Sequence, residues 1–230
     1  MNFETSVREI IQRTADVKSF RFDRPQGFEF KAGQWMYVNI RIEGTSKLHH
    51  FTISASPTEN YLEFTKKITD HQYSQALDQM KGGEWAKING PYGDFLYEGE
   101  NLKLGFLTGG IGITPMRSML RYIADKNLKT DVKMLYSNKT AADIVFKDEL
   151  DAIAREHPNI KISHVLTREP DWKGLKRHVD AKMIREQIPD YTERTFYICG
   201  PPAMNEALSK ALRELAVPDE RIRLEDFTGY

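Results

Sequence analysis

The chain has 230 residues, of which 40% are hydrophobic and 29% charged, so it can bury one large core or two smaller ones and is not a disordered polymer. Lysine plus arginine and aspartate plus glutamate both number 33, which excludes an overall field that would favour nucleic acid or an anionic membrane. One cysteine, Cys199, excludes an internal disulfide and a thiolate-ligated iron–sulfur cluster built by this chain alone.

The first residues, MNFETSVREIIQRT, are charged and alternating, and no later run approaches the ~18 apolar residues of a membrane-spanning helix. A cytoplasmic protein is expected. Short alternating runs at 6–13, 17–22, 34–42, 51–55, 62–68 and 85–89 predict strands of a small antiparallel barrel or sandwich. One helix is predicted at 74–80, capped by Ser74. From residue 102 apolar strands alternate with helices: 102–107 then 114–124, 132–136 then 146–155, 160–166 then 181–188, and 195–198 then 202–215. That alternation predicts an α/β doubly wound parallel sheet with ligands at the carboxyl ends of its strands. The acidic, glycine-containing stretch 97–101 divides the two patterns, giving expected domains at 1–98 and 102–230.

Three stretches carry chemistry. In LGFLTGGIGITP, residues 104–115, a strand runs into Gly109, Gly110 and Gly112, and a helix is predicted to begin with Thr114 as cap and Pro115 in its first position. Bare N–H groups and the helix dipole there suit a pyrophosphate, although the spacing is not GxGxxG; a tight turn without a ligand is the plain alternative. YICGPPAM, 197–204, ends the last strand of the alternating series in a rigid turn that admits a flat ring. Cys199 within it reads either as a small buried hydrophobe or as a thiol at a ring's edge. In KLHHFTIS, 47–54, two histidines stand where a strand is predicted to begin, and the remaining histidines, His71, His157, His164 and His178, lack ligand spacing, so no metal site is expected.

The ordered set FKAGQW (30–35), HHFT (49–52), YS (73–74), GPYGDF (90–95), LTGGIGITP and CGPPAM resembles the ferredoxin–NADP reductase superfamily over essentially the whole chain. The resemblance implies an N-terminal FAD-binding barrel and a C-terminal nicotinamide-nucleotide domain. HHFT aligns with the family's RxY(S/T): His49 replaces the arginine that holds the flavin pyrophosphate, Phe51 the aromatic on the isoalloxazine, and Thr52 the hydroxyl near its reactive nitrogen. This HxFT form resembles the ferric reductase and NADPH oxidase branch. His50 is then a surface neighbour. By the same resemblance Ser74 meets the flavin phosphate, Tyr73 stands where glycine is common, and Lys66 to Ile68 run past the flavin.

For the nucleotide, the resemblance implies that Gly109, Gly110, Gly112, Thr114 and Pro115 face the phosphates and that Cys199, Gly200, Pro201 and Met204 flank the nicotinamide. Thr52, Cys199 and Glu225 correspond to the groups around the hydride path, and Phe227 or Tyr230 covers the flavin. YSNKT (136–140) offers Ser137 and Lys139 to a 2′-phosphate, Arg168 follows the third strand, WKGLKRHV (172–179) adds positive charge, and no acidic residue ends the second strand. The expected donor is NADPH or NADH, with NADPH favoured. The function implied is a reductase passing electrons through bound FAD to a separate acceptor such as a ferredoxin, flavodoxin or oxygenase component. A flavin or ferric reductase with dissociable flavin, and a subunit that shows no turnover alone, are the alternatives.

Overall fold

A computed structural model describes residues 1–99 and 102–226; Phe227 and Tyr230 lie outside them. In the N-terminal half, strands β1 (Asn2–Thr14), β2 (Val17–Asp23), β3 (Trp35–Ile42), β4 (Thr45–Thr52), β5 (Tyr61–Lys67) and β6 (Trp85–Tyr92) form an antiparallel sheet in the order β4-β3-β6-β1-β2-β5. The sheet curls into a barrel: just past β4, the Ser54 N–H donates to Glu63 O on β5, joining the two ends of that order. Phe20, Phe22, Met36, Val38, Ile40, Leu62, Phe64 and Ile88 fill it, as alternation places every second side chain inward.

Two expectations fail here. The strand predicted at 51–55 is instead β4, which pairs with β3 through a tight hairpin at Glu43 and Gly44, both at positive φ. The histidines therefore lie well inside a strand. Helix α1 spans Gln72–Gln79 with His71 at its N-cap position, so Ser74 does not cap it. Its hydroxyl oxygen instead accepts from the Thr69 N–H at 2.8 Å, pinning the loop that leads into the helix.

The C-terminal half holds β7 (Lys103–Gly109), β8 (Asp131–Asn138), β9 (Ile160–Leu166), β10 (Leu175–Lys176), β11 (Thr195–Gly200) and β12 (Ile222–Asp226), all parallel in the order β10-β9-β8-β7-β11-β12. Helices α2 (Ile113–Asp125) and α3 (Lys147–Glu156) cover one face, and α4 (Ala181–Gln187) and α5 (Pro202–Glu214) the other. The chain steps outward from β7 to β10, then returns to place β11 on the other side of β7. The strand order thus reverses between β7 and β11, which puts the ligand crevice of such a sheet at Gly109 and Gly200. No helix of the described residues is long and apolar enough to cross a membrane.

The glycine turn also differs from expectation. A 3₁₀ turn, Gly110–Gly112, precedes α2, whose N-cap is Gly112. Thr114 and Pro115 are the second and third helical residues, and Thr114 donates to Ile111 O at 3.2 Å. Proline is still accommodated because the first-turn N–H groups have no intrahelical partner.

Candidate active site at the seam of two sheets

A cleft of about 850 Å³ opens at the carboxyl ends of β7, β8 and β11. Gly109, Gly110 and Ile111 form one wall, Ser137, Asn138, Lys139 and Asp143 a second, and Gly200, Pro201, Pro202 and Met204 a third. Asp16, Val17 and Lys67 close it from the barrel, so both halves face one space. A Cβ on Gly110, at φ +53°, would meet nothing within 4 Å, so that turn offers its backbone to the cleft. Gly109 and Gly200 are packed by Met204, whose thioether a Cβ at Gly109 would meet at 2.6 Å. The Asn138 side-chain amide is buried on this wall, close to the Tyr136 hydroxyl.

The remaining predicted nucleotide contacts are set back. Gly112 packs on the main chain of β11, where an added Cβ would sit 2.2 Å from Cys199 O. Thr114, Pro115 and Cys199 are buried, and Cys199 does not line the cleft. Cys199 pairs in register with Glu225 on β12, and burial, with Glu225 and Asp226 nearby, pushes its thiol well up. Burial also pushes the Glu225 carboxyl up to about 7, and its Oε2 is buried without a hydrogen-bond partner. Thr52, at the end of β4, is buried, pairs in register with Trp35 and does not line the larger cleft.

A second cleft, of about 450 Å³, is lined by Ile42, Lys47, His49, Phe51, Lys66, His71, Gln72, Tyr73 and Ser74. His49 and Phe51 share the inward face of β4 with Met36 and Val38 opposite them, whereas His50 turns outward onto Trp35, 5.3 Å away. Phe51 stacks on Phe64 at 4.4 Å, and Tyr73 lies 4.2 Å from the His49 ring with its hydroxyl donating to Val38 O at 2.8 Å. Ile68 packs against the barrel core and its N–H is taken by Asp16 O. Lys67 turns the other way from Lys66, to Asp16 at 2.7 Å. Burial, then Lys66 and His50, lowers the His49 pKa, and burial lowers that of Lys66.

The family called oxidoreductase FAD-binding domain matches residues 4–97, and the oxidoreductase NAD-binding domain residues 106–210. NADH-cytochrome b5 reductase 1 of Scheffersomyces stipitis is 33% identical over 205 residues, covering 84% of this chain and 71% of that protein. The chain belongs to the ferredoxin–NADP reductase superfamily of FAD- and NAD(P)H-dependent oxidoreductases. The glycine betaine monooxygenase reductase subunit of Chromohalobacter salexigens is 33% identical over 216 residues, which are 89% of this chain but 58% of that relative. The chain thus spans little more than half of the glycine betaine monooxygenase reductase subunits it matches. The cytochrome b5 reductase domain of Ulva prolifera nitrate reductase superposes with a TM-score of 0.86 at 24% identity, over 98% of this chain and 97% of that one, and so shares the fold.

The residues fit the superfamily's cofactors. Lys47, His49, Lys66 and His71 give the smaller cleft four basic side chains and no carboxylate among its described lining, which suits the diphosphate of FAD. Glycine turns at the strand-order reversal suit a dinucleotide. Sequence reading missed Asp16, Val17, Asn138, Thr167 and His178 on the larger cleft, because a wall drawn from both halves leaves no local motif.

Proposed function

We propose that the chain is an FAD-dependent reductase that takes electrons from NADPH in preference to NADH and passes them to a separate acceptor, such as a ferredoxin, flavodoxin or oxygenase component. The carrying observation is that Asp16, Val17 and Lys67 of the barrel and the glycine turns of the parallel sheet line one cleft, which lets two flat cofactors meet at the seam. FAD, when bound, would supply a two-electron acceptor for the hydride of a reduced nicotinamide and a donor for the separate acceptor.

The chain's own groups hold and orient. His49, Lys66 and Ser74 bind the flavin phosphates beside Tyr73, Phe51 packs on the ring, and the Thr52 hydroxyl hydrogen-bonds it, with Ile68 lending backbone. Gly109, Gly110 and Ile111 receive the nucleotide phosphates. Gly112, Thr114 and Pro115 hold that turn from behind, while Gly200, Pro201 and Met204 flank the nicotinamide over Cys199. Glu225, whose carboxyl burial raises to about 7, can gain or lose a proton near neutrality beside that path. Ser137, Lys139, Thr167 and His178 gather where the nucleotide's adenosine end would lie, and Asp143 is already engaged by the N–H and hydroxyl of Thr140, which favours a 2′-phosphate.

His49 supports a second reading, a flavin reductase that releases its flavin, because an imidazole shifted toward neutrality binds diphosphate less firmly than a guanidinium. Anaerobic addition of NADPH to the FAD-loaded protein should bleach the flavin band faster than NADH does. Bleaching that survives gel filtration supports bound FAD, whereas bleaching only with flavin in solution supports the second reading. A flavin band that neither nucleotide bleaches points to a subunit with no turnover of its own.

A further inference from the structure

Helix α2 starts at the nucleotide turn and, one turn later, presents Arg117 and Ser118 to the barrel. Arg117 is 3% exposed, yet it spans the seam. Its Nη1 donates to Ser54 O at 2.9 Å and to Glu59 Oε2 at 2.5 Å, and its Nη2 donates to Glu59 Oε1 at 2.9 Å. Glu149 of α3 lies 2.7 Å away, and the guanidinium sits 5.5 Å from the centre of the Phe146 ring, which Arg13 of the barrel also covers at 4.8 Å. Ser118 Oγ donates to Ala55 O at 2.6 Å.

An ion pair that only tied two surfaces together would end on side chains. Here two bonds end on main-chain carbonyls, two and three residues beyond Thr52. Ser54 is in turn held to β5, donating its N–H to Glu63 O and its hydroxyl to Glu63 Oε1. A planar guanidinium with bonds along both arms fixes direction as well as distance. One helix therefore joins the backbone that follows Thr52 to the glycine turn that opens α2.

We propose that Arg117 is a positioning residue: with Ser118 it sets the reach between the nucleotide turn and the Thr52 strand end, and so the alignment of the nicotinamide on the flavin. This rests on the functional reading above. In the transfer a proton with two electrons leaves the reduced nicotinamide, which becomes oxidised nucleotide, and arrives on the flavin, which becomes two-electron reduced. Such a transfer is sensitive to placement, and a displacement of ~1 Å can cost on the order of 10²-fold in rate.

The test compares FAD-loaded wild type with Arg117→Met, Arg117→Lys and Ser118→Ala. Three quantities are read: the rate of anaerobic flavin reduction at saturating NADPH, the long-wavelength charge-transfer absorbance of the nucleotide–flavin pair, and the dissociation constants for FAD and NADP⁺. Arg117→Met and Arg117→Lys should slow reduction about 10- to 100-fold and weaken the charge-transfer band, while both dissociation constants stay within about threefold. Ser118→Ala, which removes one carbonyl bond, should fall between them and wild type. Unchanged rate and band in these variants overturn the proposal, as does a slower rate fully accounted for by weaker FAD or nucleotide binding. Should Arg117→Met not fold, Arg117→Lys and Ser118→Ala decide by the same readouts. A wild-type flavin that does not bleach overturns the functional reading, and the positioning role falls with it.

Discussion

His49 carries its charge conditionally. Burial, Lys66 and His50 all favour the neutral ring, so its pKa lies below the ordinary value of 6.5, and near pH 7 it offers a single N–H. A diphosphate in the cleft would stabilise the protonated form, so flavin binding takes up a proton and tightens as pH falls. His49→Ala should weaken FAD binding about tenfold, on the order of 1.4 kcal/mol, and flatten its pH dependence. His50→Ala, on the outer face, should stay within about twofold; equal losses in the two variants, by fluorescence titration at pH 6 and 8, would remove His49 from the flavin site. Glu225 has the opposite sign from a paired carboxylate. Its folded pKa of about 7 lies above the ordinary 4.5, so its contribution to stability is full below about 4.5 and is lost as pH rises through about 7. Wild type should lose about 3 kcal/mol relative to Glu225→Gln between pH 4.5 and 8, read from urea midpoints.

The turn between β7 and α2 works as an element because its glycines do different jobs. At Gly112 an added Cβ would stand 2.2 Å from Cys199 O and 2.6 Å from its carbonyl carbon, both main-chain atoms that cannot swing aside. Gly112→Ala should therefore cost about 2 kcal/mol or more by displacing β11 from the turn, whereas Gly110→Ala, with open space around it, should cost about 1 kcal/mol through its left-handed backbone. Chemical denaturation of both variants checks the order. Sequence pattern reaches this element because glycine runs at strand ends are local signals. It fails at β4, whose inward positions 47 and 49 hold a lysine and a histidine facing the basic cleft rather than the core. Polar side chains on that face erase the apolar alternation from which a strand is read, so the expected strand at 51–55 begins several residues later than β4 does. Arg117 was out of reach for a different reason. In PMRSMLRYI an arginine reads as a solvent-facing helical position, and only the arrival of Ser54 and Glu59 from the other half makes it buried.

Across the whole molecule, the core beneath α2 belongs to both halves. Val17, Ala32, Phe95 and Tyr97 from the barrel side lie in the same buried cluster as Met116, Met119, Leu120 and Ile123 of α2. Tyr97 donates its N–H to Ala32 O at 3.1 Å, its hydroxyl is 2.6 Å from Thr130 Oγ1, and Tyr197 on β11 donates to Leu96 O at 2.6 Å. Separating the halves would expose that apolar surface and take Glu59 away from Arg117, leaving it Glu149 of its own half. The halves should consequently unfold together. Trp35 and Trp85 report on the barrel and the helices lie mostly in the other half, so tryptophan fluorescence of a Trp172→Phe variant and far-ultraviolet circular dichroism follow different halves. Their urea transitions should coincide. Phe95→Ala, which opens the shared core, should lower both midpoints together by the equivalent of about 3 to 5 kcal/mol. A barrel transition that shifts alone would mean that the seam does not carry stability between the sheets, and a clamp at Arg117 would then have no rigid bodies to align.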